Sequence, residues 1–253
     1  NQVELKRVAI CHSLGSHLID KEVLHSATHV VLINSFSRFI PISKENRPIK
    51  LALNKMMNAI NYPPAFLLII GALLVPLIPE RVRSYFVIAL PALTFAYIYT
   101  LSTGDTSVMP FLHYDLETLR VDKLSKAFGY IFTLNAFAAF IYGYFEKRAY
   151  HHSASLVYIG SALGVVFAGD LLTLYIFWEM MAISSMFLIL ARNTTPARQA
   201  ATRYILVHVL GGLVLLAGIL LHINQTGSLA FNSFDTVDAS TVLILIGFLI
   251  NAA

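Results

Sequence analysis

The chain has 253 residues, of which 57% are apolar and only 13% charged. An ordinary soluble domain carries about 25% charged residues, so this composition excludes one and points to an all-α, polytopic transmembrane helix bundle. The net charge of +4 resides in residues 1–55, which hold eight Lys and Arg against four acids, while the rest of the chain carries ten of each, so no nucleic-acid partner is implied. Cys11 is the single cysteine, which leaves no disulfide framework and no thiolate metal site, and no cofactor is expected.

Residues 1–55 form a basic segment without the ordered charged, apolar and small-residue regions of a signal peptide. Residues 56–253 read as a transmembrane domain. Its uncharged runs are Met56–Pro79, Ser84–Gly104, Ala127–Phe145, Ser153–Gly169, Leu171–Ala191, Tyr204–Gln225 and Ala239 onward. A spanning helix needs about 20 apolar residues, and six of the seven runs qualify. The seventh stops at Ala253 while still apolar, which reads as a truncated helix and the chain as a fragment, as does the missing initial Met. Pro76 and Pro91 lie inside runs and are expected to kink them.

The breaks between runs alternate in charge. Breaks one, three and five hold Arg81 and Arg83, then Lys147 and Arg148, then Arg192, Arg198 and Arg203; breaks four and six hold only Asp170, Asp235 and Asp238. Because Lys and Arg collect in cytoplasmic loops, the odd breaks are expected in the cytoplasm. Break two is mixed, with Asp105, Asp115, Glu117 and Asp122 beside Arg120, Lys123 and Lys126. This orientation would put the basic residues 1–55 outside, against the rule, so translation is expected to start at Met56 or Met57, the alternative being a genuine amphipathic extension on the membrane surface.

Glu179 is the one charge between Leu171 and Ala191, about 13 Å along the helix from Asp170 and near the middle of a hydrocarbon layer of about 30 Å. An ionised group there costs about 2.5–3.5 kcal/mol, so it faces the bundle interior as a proton relay or as a protonated, hydrogen-bonded structural group. His208 lies five residues into the sixth run, with Gly211 and Gly212 on the same face. It reads either as a proton-passing group on the cytoplasmic side or as a packing histidine. Arg203, at the edge of that run, is an interfacial anchor or an influence on His208. His222, His113, His151 and His152 read as interface residues. Gly160, Gly164 and Ala168 form a small-residue packing face.

The stretch GDLLTLYIFWEMMAISSMFLIL, residues 169–190, resembles the fifth-helix signature of the antiporter-like subunits of NADH:quinone oxidoreductase, Mrp cation/proton antiporters and membrane-bound hydrogenases. RVDKLSKAF, with Asp122 and Ser125, and ATRYILVHVLGGLVLLAGI are similar to further segments of that family; Asp122 also suits a helix N-cap, and Trp178 belongs to the signature itself. The resemblance implies a fold of some fourteen helices with two inverted five-helix repeats, of which this chain is the N-terminal part. It also implies that Glu179 is the key intramembrane acid and that a Lys of the seventh helix pairs with it. Asn251 stands where that Lys aligns, about 17 Å from Ser240.

The expected function is proton translocation, with Na⁺ as a possible exchange ion, as a subunit of a larger complex in a bacterial or archaeal plasma membrane. Glu179, His208, Asn251 and Arg203 form the expected relay, with other membrane subunits and the bilayer as partners and no redox chemistry in this chain itself. The competing expectation, prompted by Asn251, is a non-pumping structural subunit that docks redox partners.

Overall fold

The computed structural model describes residues 62–112, 114–231 and 238–252. The basic segment 1–55, the Met56–Met57 start, His113 and Asp235 lie outside the described residues. Each apolar run contains one α-helix: α1 (Pro64–Leu74), α2 (Glu80–Thr100), α3 (Lys123–Tyr142), α4 (Ala149–Phe167), α5 (Leu171–Leu190), α6 (Thr195–Thr226) and α7 (Ala239–Ala252). Break two folds into an antiparallel hairpin of β1 (Thr106–Phe111) and β2 (Tyr114–Arg120), pairing Thr106 with Arg120 and Phe111 with Tyr114. The chain is an integral membrane helix bundle, with one two-stranded sheet among the described residues.

Helix boundaries follow capping chemistry rather than the edges of the apolar runs. Asp122 accepts from the Ser125 amide at 2.6 Å while the Ser125 hydroxyl accepts from the Asp122 amide at 2.8 Å, a reciprocal capping box that starts α3 four residues before its apolar run. Thr194 caps α6 through the Ala197 amide, with Pro196 in the first turn. That helix therefore begins nine residues before the expected Tyr204 and runs for 32 residues to a left-handed Gly227, φ 69°. At the start of α7, Asp238 accepts from the Thr241 amide and the Ser240 hydroxyl, which together hold its carboxyl at about 2, well below the usual value.

Among the described residues four helices, α2, α3, α5 and α6, are long and apolar enough to cross a membrane; α1 and α7 are shorter within those residues. α4 starts at Ala149 and takes Tyr150, His151 and His152 into its first turn, which dilutes its apolar character. Pro76 does not kink a continuing helix but sits in a 3-10 turn, Val75–Leu77, that closes α1; Pro91 is accommodated inside an unbroken α2.

The helices pack as two groups joined through α4 and α5. Leu68, Leu90, Ile98, Leu156, Leu163 and Phe167 form a buried core among α1, α2 and α4, and Leu215, Ile219 and Ile244 form another between α6 and α7 with Leu171 of α5. Lipid tails are as apolar as these side chains, so close packing rather than water exclusion holds the helices together. Gly160 brings α1 onto α4, and Gly164 receives the ring of Phe177 from α5, which also lies 6.2 Å from Phe66. Ala168, expected on the same face, is instead the C-cap of α4.

The breaks gather at opposite ends as their charges suggested. At one end Arg83 donates to the Lys147 carbonyl at 2.7 Å and Arg148 to the Ala191 carbonyl at 2.8 Å, which ties breaks one, three and five together. At the other, the Gly169 amide donates to Glu117 O and the Leu171 amide to Leu229 O, which joins the hairpin, break four and break six. Asp170 is the centre of that junction: buried, it accepts from the Thr173 amide at 2.7 Å, the Thr173 hydroxyl at 2.9 Å and the Glu117 amide at 2.5 Å. Asp170→Ala would leave these donors without their acceptor, so we expect a loss of about 2–3 kcal/mol, read as earlier thermal unfolding by circular dichroism in detergent.

Candidate ion site at the crossing of α5, α6 and α7

Glu179 is the ninth residue of α5 and points its carboxylate at Gly212 of α6. Asn251, near the end of α7, points its carboxamide at the adjacent Gly211. A Cβ at either glycine would collide with the polar head that it faces. The glycine pair thus seats two polar side chains from two different helices at one level of α6. Phe177 and Trp178 hold α5 in this register: Phe177 is buried against α4, and the Trp178 ring lies 5.2 Å from Phe248 of α7.

His208 precedes Gly211 and Gly212 by three and four residues and so shares their face of α6. Its ring stacks obliquely on Tyr204, with centroids 4.2 Å apart, and its other polar neighbour is the Asn251 carboxamide, which approaches without the geometry of a full hydrogen bond. Asn251 is only 8% exposed, and among the described residues its Nδ2 and Oδ1, like His208 Nδ1, have no hydrogen-bond partner. Native interiors rarely leave polar atoms unmatched, and such groups often mark functional positions. None of the three ion pairs among the described residues involves Glu179.

The depth expected for His208 is corrected by the early start of α6. It is the fourteenth residue of that helix, about 20 Å along an axis of about 48 Å, rather than only five residues from its start. Arg203 is exposed and five residues from His208, roughly 140° around the helix, so the structure does not bring it to the cluster. His222 and His152, near the ends of α6 and α4, are packed inside the bundle at 2% exposed, and His152 Nε2 lies 2.8 Å from the Glu146 carbonyl. Gly212 as the seat of Glu179 was not anticipated, although its spacing from His208 already marked the face. Asp122 and Trp178 lie outside the polar cluster, one as a helix cap and the other as a packing residue.

Residues 168–253, from the end of α4 through α7, match the family model described as NADH:quinone oxidoreductase/Mrp antiporter, TM. Na(+)/H(+) antiporter subunit A1 of Staphylococcus haemolyticus is 30% identical over 172 residues, covering 60% of this chain and 21% of that protein. Putative antiporter subunit mnhA2 of Staphylococcus epidermidis is 32% identical over 130 residues, covering 47% of this chain and 16% of that protein. A chain of the Mrp complex from Dietzia sp. DQ12-45-1b superposes with a TM-score of 0.66 at 22% identity, covering 75% of this chain and 23% of that one. A chain of respiratory complex I from Thermus thermophilus gives 0.62 at 20% identity, covering 74% and 42%. At these identities the superpositions show the fold. The chain is similar to these proteins over part of its length, and it spans about a fifth of the length of the first of these curated relatives.

Proposed function

We propose that this chain is a membrane subunit that moves protons through Glu179 at the crossing of α5 and α6, with Asn251 and His208 completing the polar path. The observation that carries the reading is the Gly211–Gly212 pair, which makes room in an apolar helix crossing for a carboxylate and a carboxamide. Gly211 also receives the Ile250 side chain of α7, whereas each neighbour of Gly212 is a Glu179 carboxylate atom, and intramembrane ionisable groups ordinarily line ion paths. A carboxamide both donates and accepts, so Asn251 suits either protonation state of a neighbouring carboxyl without adding charge. His208 extends the cluster along α6 in the direction of the basic end, which the excess of Arg and Lys assigns to the cytoplasm.

The relatives named as Na(+)/H(+) antiporter subunits support cation/proton exchange, with Na⁺ as counter-ion. The superposed chains come from multi-subunit assemblies, which supports other membrane subunits as partners in a bacterial or archaeal plasma membrane. With Asn251 neutral, no lysine of α7 within the described residues balances Glu179, and the moving cation itself supplies the opposing charge. That same neutrality favours the second reading, a structural subunit that docks its partners and conducts nothing.

Vesicles holding the full-length protein with its partner subunits separate the two. Under an imposed pH or Na⁺ gradient, the wild-type assembly is expected to collapse the pH gradient, and no ion movement from an intact assembly would leave only the structural reading.

A further inference from the structure

We propose that the basic end of the bundle binds one anionic phospholipid, with its phosphate in a cleft between breaks one and three and one acyl chain in a groove along α3, α4 and α5. The cleft has a volume of about 690 Å³ and is lined by Arg81, Arg83, Ser84, Tyr144 and Lys147. The groove has about 790 Å³ and is lined mainly by apolar groups, among them Phe132, Phe140, Tyr158, Trp178 and Met181. Glu146 borders both, so the polar cleft and the apolar groove are neighbours, as a phospholipid's two parts require.

The dimensions suit one chain. On α3 the groove runs from Phe132 to Gly143, about 17 Å, close to the half-thickness of about 15 Å that one leaflet of a 30 Å hydrocarbon layer offers.

The charge selects the headgroup. Arg83 donates Nη1 to the Lys147 carbonyl and Nη2 to the Ile78 carbonyl at 3.0 Å, while its buried Nε has no partner and no carboxylate pairs with it among the described residues. Arg81 has no ion pair either among those residues. The acids beside them are already engaged: Glu146 binds Arg148 through both oxygens, and Glu80 meets Lys147 at 3.2 Å. Guanidinium groups without a counter-ion favour phosphate oxygens, and the cytoplasmic leaflet is where anionic lipids concentrate.

Trp178 is the one tryptophan of the chain and it lines the groove, so its fluorescence reports an acyl chain there. The full chain is reconstituted in phosphatidylcholine vesicles with either brominated phosphatidylglycerol or brominated phosphatidylcholine as quencher. Brominated phosphatidylglycerol is expected to quench at low mole fraction and to saturate, with brominated phosphatidylcholine much weaker. The exposed Arg81→Gln and Lys147→Gln changes should each raise the half-quenching mole fraction about fivefold. Ala162→Phe, which fills the groove from α4 without touching a charge, should abolish saturable quenching. Equal quenching by both lipids, quenching unmoved by the two charge changes or by Ala162→Phe, or no quenching by either lipid would overturn the proposal. The last result would mean that protein rather than lipid covers the groove.

Discussion

Glu179→Gln should lower proton flux by about 10²-fold or more while leaving assembly and the unfolding temperature unchanged. Glutamine keeps the volume and hydrogen-bonding reach of the side chain, so the seat against Gly212 is still filled, but it has no exchangeable carboxyl proton. Glu179 has no ion pair among the described residues, so removing its charge strands no cation and no structural penalty masks the loss of transport. Glu179→Asp retracts the carboxyl by one methylene from α6 and should fall between wild type and Gln. The measurement is initial dye-reported pH change per assembled complex, and Glu179→Gln with wild-type flux would remove Glu179 from the path.

The largest stability effect is expected at the contact between α6 and α7. A Cβ on Gly247 would lie 2.6 Å from Leu215 Cα, and one on Gly218 would lie 2.7 Å from the Ile244 amide nitrogen, so each helix presses on the other's backbone. Backbone cannot swing aside as a side-chain tip can, so Gly247→Val must push the helices apart and should cost about 3 kcal/mol. Gly71→Ala is the control, since the atoms in its way belong to the end of the Leu90 side chain, and its cost should be under about 1 kcal/mol. Thermal unfolding of the purified protein in detergent compares the two, and equal destabilisation would contradict the backbone contact.

Much of this was readable in the sequence, because the bilayer imposes a simple length and polarity test on each helix. The seven runs, the alternating charge of the breaks and the exceptional position of Glu179 all follow from it. Hydropathy failed where caps decide: Thr194 and Pro196 start α6 among charged residues, so counting from Tyr204 placed His208 too near an end. The hairpin was missed because TSVMPF neither alternates clearly nor excludes Pro, and Pro110 sits within β1. Asp170 read only as a charge in a break, since its acceptor role to Glu117 depends on a segment 53 residues away. The seat at Gly212 likewise needs the relative heights of two helices, which no single-chain pattern contains.

The backbone contact between α6 and α7 also has a kinematic consequence. Helices that touch main chain to main chain have little freedom to slide, so His208 and Asn251 travel as parts of one body. Phe177, seated in Gly164, attaches Glu179's helix to α4 on the other side. α5 meets the α6–α7 body through Leu171 and Trp178 and also where it crosses α6, and only at that crossing does Gly212 face a flexible carboxylate rather than a backbone. A shear of about 1–2 Å, the scale on which packed helices shift, would therefore carry the carboxylate past both polar partners together. On the proposed reading, relative motion at that crossing would be what changes the neighbours of the Glu179 carboxylate.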